Sequence, residues 1–535
     1  MKRMKSLTLI IFTVLAVKVS AQKELPNTNV EVISNFQAEI KDQNKKDLLP
    51  IIEAGNQNKT EQKYRLTKRQ LEGITYEAPK IRPLAMKGEK QPKAYNGFGK
   101  IGYGIPNTPY LHAGYHYQNE DKYRIFGTAF HQSANNKSIN NQKFSNTNIQ
   151  IGGSVNTEMN IGVDAALTLQ NNLFNFYSVD SLPNGIEPLR RFGNSGFQAK
   201  VYNTEETSWG INYAVGLRYN NLQTNFDTRE NDFDLNIGMT KYFNDNLPFD
   251  ILVGTHITNL KDSTSSGNNN FYMKPKLTWT NDIARIVVGL NLVAVDDEFA
   301  VLPNIEGMIK ISGNYIALYG GWEGDVRKNT YQYLSEWNPF IVERQELTNS
   351  KWNRFYGGLR GKIGRINYQG EASFKNINNM ALFVNDSLRP WGFNVNYDQL
   401  QVFNLNGTLD IDLAKGLKFI GNIQYNVYTT DVERTAWQLP SLEANMGLHL
   451  TTMNDKMHIK AELYMADGLS YLDYQTDKIE SQNLLFDLSF EAAYRFSEKF
   501  GVFFQVNNLP NNKYRRWYNT PTYGLNVLGG LTARF

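Results

Sequence analysis

The chain has 535 residues, enough for one large domain or several, with Lys+Arg 56 against Asp+Glu 52 and no cysteine. That near-balance gives no electrostatic footprint for nucleic acid, and the missing thiols exclude a disulfide framework, a thiolate metal site and a lipid-anchored cysteine. Aromatics are abundant, with 30 Tyr and 30 Phe, although mean hydropathy is only −0.48; this excludes a bundle of spanning helices but not a membrane barrel, in which half of every strand faces a polar lumen.

Residues 1–21 read as an export signal. Lys2, Arg3 and Lys5 are basic, Leu7 to Val17 is an apolar run too short to span, and Val19-Ser20-Ala21 is a small-residue cleavage site, so the mature chain is expected to begin at Gln22 after cleavage behind Ala21. A short membrane anchor is the competing reading of the same stretch. Residues 22–94 are rich in Asn, Gln and Lys, have weak, mixed periodicity and are punctuated by Pro79 and Pro83. They read as a short periplasmic segment partly tucked into a lumen, or as a disordered linker.

From 95 to 535 one pattern repeats. In 160–170, Ile161, Val163, Ala165, Leu167 and Leu169 fall on one face, with Asp164, Thr168 and Gln170 on the other. In 366–375 the apolar set is Ile366, Tyr368, Gly370, Ala372 and Phe374, and the polar set is Asn367, Gln369, Glu371, Ser373 and Lys375. The last half-hundred residues do the same: Phe486, Leu488, Phe490, Ala492 and Tyr494 oppose Asp487, Ser489, Glu491 and Arg495. A period of two marks strands with one oily and one wet face. About 22 such strands are expected, each near the ~9–11 residues that a tilted transmembrane strand needs. Because no run approaches the ~18–20 apolar residues of a spanning helix, a membrane form must be a closed barrel, which alone pairs every backbone group. The connections alternate in length: short turns at 156–159, 281–283, 362–365, 414–416 and 497–499, long loops at 174–194, 221–232, 261–270, 325–352, 430–441, 468–483 and 508–523. Short periplasmic turns and long outer loops are what outer-membrane barrels show. The fold expected is therefore all-β, a transmembrane antiparallel up-and-down barrel. Both signs of charge point inward, so strong ion selectivity is not expected.

No phosphate loop, paired-His helix or Ser/His/Asp arrangement is present. His112, His116 and His131 lie on neighbouring strands and read as wall residues rather than a metal site. Asp296-Asp297-Glu298 reads as a solvated acidic turn rather than a calcium site. The loop 325–352 carries Tyr331, Tyr333, Trp337 and Phe340, suited either to clamping a ligand or to packing as a lid.

Asn507-Asn508-Leu509-Pro510-Asn511-Asn512-Lys513-Tyr514, then Gly524, Gly529-Gly530 and a terminal Phe535, resembles the closing strands of TonB-dependent receptor barrels. The resemblance implies a barrel in the outer membrane of Gram-negative type, surrounded by its lipid, with Phe535 as part of the signal read by the barrel-assembly machinery. It implies uptake or passage of a solute rather than enzymatic work, without a cofactor, and TonB or a surface-exposed protein as partner. The family's globular plug would be reduced or absent, since 22–94 is short and polar. The alternative function is a non-transporting barrel that scaffolds partner proteins.

Overall fold

The computed structural model describes residues 95–119, 122–177, 187–244, 247–262, 265–295, 298–342, 346–387, 389 and 392–535. The export signal with Ala21 and Gln22, the segment 22–94, and Asp296 and Asp297 lie outside the described residues.

Twenty-two strands form one antiparallel sheet in which each pairs with its neighbours in the chain, two loop ribbons set aside. The first, Gly97–Ile105, pairs with the last, Asn526–Arg534, from Phe98↔Arg534 to Ile105↔Val527, so the sheet closes on itself. Phe535 completes the seam: the Gly97 N–H donates to the Phe535 carbonyl at 2.8 Å, and the Phe535 N–H returns to Gly97 at 3.0 Å. Its ring stacks on Tyr115 at 6.2 Å. An even number of strands brings both ends of the described barrel to one rim, the terminal rim.

The two faces segregate as the alternation predicts. Leu318, Trp322, Phe355, Leu359, Phe374, Phe403 and Leu405 point outward and are exposed. Such a continuous apolar belt far exceeds what a soluble protein leaves in water, and places the wall in a bilayer. Inward stand Tyr319, Glu323, Arg354 and Glu371, tied to one another by hydrogen bonds and ion pairs, with the Tyr356 ring under the Arg354 guanidinium.

Packing on the inner face depends on glycines opposite rings. Tyr319 pairs across the strands with Gly358, and Tyr356 with Gly321. Each tyrosine approaches within 2.9 Å of where a Cβ would stand on its glycine. Only a residue without a side chain lets the ring lie flat on the wall.

Two expected outer loops, 221–232 and 261–270, are instead mostly strand. Ile211–Thr224, Arg229–Tyr242, Pro248–Lys261 and Ser265–Thr280 run through them. The hydrophobic alternation stops there because the outward positions become Asn221, Asn231, Asn259 and Asn269, while backbone pairing continues. These strands outgrow the apolar belt, and so do Ile366–Asn385 and Phe393–Ala414, with 20 and 22 residues.

Gly358→Ala is expected to destabilise the barrel by about 1–3 kcal/mol through overpacking against the Gly370 carbonyl and the Tyr319 ring. Gly370→Ala, with nothing within 4 Å of its Cβ position, should be near neutral. Urea midpoints in micelles check this; equal midpoints for the two variants would contradict the ring-on-glycine account.

Candidate functional site

At the rim opposite the terminal rim, the connecting loops form a lid with a dry centre. Phe176, Tyr177, Tyr331, Leu334, Phe340, Ile341, Phe383, Phe393 and Trp517 make one buried cluster drawn from four separate connections. The short helix Tyr331–Trp337 sits inside it, with Thr330 as its N-cap. Two buried side chains from the barrel wall, an acid and a guanidinium, grip that helix. Glu230 accepts the Tyr331 N–H at 2.5 Å and the Gln332 N–H at 2.9 Å. Arg190, fully buried, donates to the Tyr331 hydroxyl at 3.0 Å and to the Ile341 carbonyl at 2.9 Å, and lies over the rings of Phe176, Phe192 and Phe226. The two bonds from the charged Arg190 guanidinium contribute about 1.5–3 kcal/mol each, and with the two to Glu230 they decide where the helix stays.

The hairpin from Ile366–Asn385 to Phe393–Ala414 divides the lid. A bulge between Ile377 and Met380, with Asn379 at φ 56°, bends it above the belt. Beyond the bulge it is apolar on both faces. Ala381, Phe383, Phe393 and Val395 pack against the helix side; Met380, Leu382 and Val384 pack with Trp437 and Leu439 of the next loop. Asp398 holds that loop by accepting the backbone N–H groups of Asp431, Val432 and Glu433. The C-terminal block that carries the family resemblance is a knot on the same rim. Asn508, fully buried, binds Asn512 in both directions at 3.1 Å, while Asp487 accepts the Tyr514 hydroxyl at 3.2 Å and the Asn508 N–H at 3.3 Å.

Below the lid the lumen is polar. Arg285–Glu306, Lys100–Glu491, Lys276–Asp250 and Lys418–Asp410 pair along its wall, and Asn404, Asn406, Asn422 and Asn426 form an amide ladder. A recess of about 570 Å³ lies against the wall, lined by Lys200, Tyr202, Thr240, Asp250, Lys276 and Asp325 among others. This surface can wet and bind a polar solute. Among the described residues no group of three or more His, Asp or Glu is placed to hold a metal.

The candidate aromatics part company. Tyr331 and Phe340 are buried in the lid, whereas Tyr333 is exposed and Trp337 partly so, their rings 6.4 Å apart. His112 stands on the inner face, beside Phe98, while His131 pairs on the outer face with Thr147, so the histidines do not converge. Glu298 faces Lys351 at 3.5 Å. Arg190 and Glu230 escaped the sequence reading because both lie where the alternation fades; the available signal was a charge continuing the inward register past the apolar belt.

No family model and no curated protein sequence matches the chain. Solved structures do. The FrpB iron transporter from Neisseria meningitidis (F3-3 variant) aligns over 83% of this chain and 82% of its own, at TM-score 0.66 and 9% identity. The pyoverdine outer membrane receptor FpvA from Pseudomonas aeruginosa aligns over 83% and 79%, at 0.63 and 10% identity. The copper transporter OprC aligns over 83% and 82%, at 0.62 and 12% identity. The fold is that of TonB-dependent outer-membrane receptor barrels, as the C-terminal block implies.

The latch carries a pH dependence. Glu230 lies at the level of outward Arg229 and Asn231, above the apolar belt, where burial pushes its carboxyl up to about 7 against the pull of the two backbone N–H groups and Lys328. The closed lid thus binds a proton that a water-exposed carboxylate would release. Its contribution to closure is full below about 4.5 and lost as pH rises through about 7. Protease cleavage within 328–349 should therefore be slower at about pH 5 than at about pH 8 relative to an unfolded control, and Glu230→Gln should flatten the difference. Equal ratios in the native protein would contradict it.

Proposed function

We propose that this chain passes a solute across the outer membrane through the barrel lumen, with the outer mouth closed at rest by its own loops. The observation that carries this is the contrast between a wet, charged lumen and the dry lid latched over it by Glu230 and Arg190. A barrel meant only as an anchor has no need for an aqueous inner wall under a closure fixed by a buried acid and a buried guanidinium. The similar solved structures, titled as iron and copper transporters and a pyoverdine receptor, support a transport barrel and leave the solute open. TonB, the partner the resemblance implies, would act from the terminal rim. Tyr333, exposed, and Trp337, partly so, are lid aromatics open to a solute.

A scaffold reading has one observation in its favour. The ribbon Ser470–Asp473 and Lys478–Ser481 stands on the outer rim with all four residues of its second strand exposed. Such an edge suits a protein partner.

Planar-bilayer recording separates the two. The native barrel should be nearly silent, and Arg190→Ala with Glu230→Ala, still folded by gel mobility before and after heating, should open frequent conducting events. A folded but equally silent double variant, together with a stoichiometric co-purifying protein, would support the scaffold instead.

A further inference from the structure

Many inward charges of the barrel are matched, and at one place two inward cations that are not lie close enough to act on each other's charge. Around the junction of lid and wall, Arg354 contacts both Glu323 and Glu371 at 3.0 Å, and Lys274 holds Asp325 at 2.6 Å. Each acid there is thus already engaged. Arg327 and Lys375 are not: neither makes an ion pair among the described residues. Lys375 stands directly across the strand pair from Arg354 on the same inward face. Like charges placed opposite one another destabilise a sheet unless something of the other sign sits between them. Arg327 lies on the inward register of Ile316–Arg327, two and four positions beyond Asp325 and Glu323.

The two cations also carry aromatic neighbours. The Lys375 ammonium lies over the Trp352 ring at 4.2 Å, and the Arg327 guanidinium faces the Tyr333 ring at 6.0 Å. Trp352 packs on the lid cluster around Trp437, and Tyr333 belongs to the lid helix. The cations therefore sit where the closure meets the wall, half-buried, in a region whose low-dielectric surroundings strengthen their field.

We propose that Arg327 and Lys375, floored by Trp352 and roofed by Tyr333, form a binding site for a small anionic solute, one bearing a carboxylate or a phosphate. Arg327 offers a planar fork matched to either group, and Lys375 offers a point charge beside it. The rings supply an apolar surface for the body of an organic anion. This deepens the passage reading, since a solute held there stands beneath the lid, but binding itself does not depend on transport.

The test is equilibrium dialysis of the purified full chain in micelles, with citrate as the organic carboxylate and inorganic phosphate as the other arm. Saturable binding of either anion, weakening as sodium chloride is raised, is expected. Tighter binding of citrate would assign the site to carboxylates, and tighter phosphate to phosphoryl groups. Arg327→Gln with Lys375→Gln should weaken binding by about tenfold or more, while Arg327→Lys with Lys375→Arg should retain most of it. Lys415→Gln, in an exposed turn at the terminal rim, should change nothing. The proposal is overturned if neither anion binds saturably, or if binding survives in a double glutamine variant whose urea midpoint is native. A barrel that binds the anion yet remains silent with the lid unlatched would refute passage and leave this site standing.

Discussion

In hydrocarbon a backbone N–H or C=O without a partner costs several kcal/mol, so a sheet that crosses a bilayer cannot have an edge. Everything else in this molecule follows from that constraint. The first and last strands must meet, and they do so along Gly97–Ile105 and Asn526–Arg534, with Phe535 adding the final pair of hydrogen bonds. Closure makes an outside and an inside, and alternation along each strand then sends Phe355, Phe374 and Phe403 to lipid and Arg354, Glu371 and Asn404 to water. Closure by 22 strands also leaves a wide lumen that wall side chains alone do not fill.

The lid answers the width. Its residues bury apolar surface of the kind found in a small soluble domain, but they come from loops of a barrel whose own wall has no dry interior. The hairpin above the Ile377/Met380 bulge illustrates how. Below the bulge one face is oily because lipid lies outside; above it both faces are oily because loops lie on both sides. Glu230 and Arg190 convert that loose hydrophobic association into a fixed position, since a carboxylate and a guanidinium demand directed partners where packing alone does not. Arg327 and Lys375, which make no ion pair among the described residues, lie at the margin of the same closure, against the lid aromatics Tyr333 and Trp352.

Much of this was legible in the residues. Strand number, order and face followed from period-two alternation, because the bilayer imposes one rule on every strand; the inward sets of 366–375 and the outward rank Leu167, Leu169 stand as read. Strand length was not legible above the belt, where Asn221, Asn231 and Asn259 end the hydrophobic signal without ending the hydrogen bonds. The lid was legible in composition and not in assembly. The aromatics of 331–340 announced a packed or binding loop, but their partners, Phe176, Phe383 and Trp517, are distant in sequence and meet only when the cylinder brings its loops to one rim. Asp487 likewise looked like an ordinary inward acid until Tyr514 and Asn508 were seen to fold onto it.

The seam is the place to test the account. The chain has no cysteine of its own, so Gly99→Cys and Ala533→Cys, directly paired across the first and last strands, introduce a unique pair of thiols. A short thiol-to-thiol cross-linker applied to intact outer membranes should join them in high yield and convert the chain to a covalent ring, visible as a shifted band after boiling in detergent. Thiols that label singly but never join, in a chain that carbonate washes off the membrane, would contradict a closed spanning cylinder.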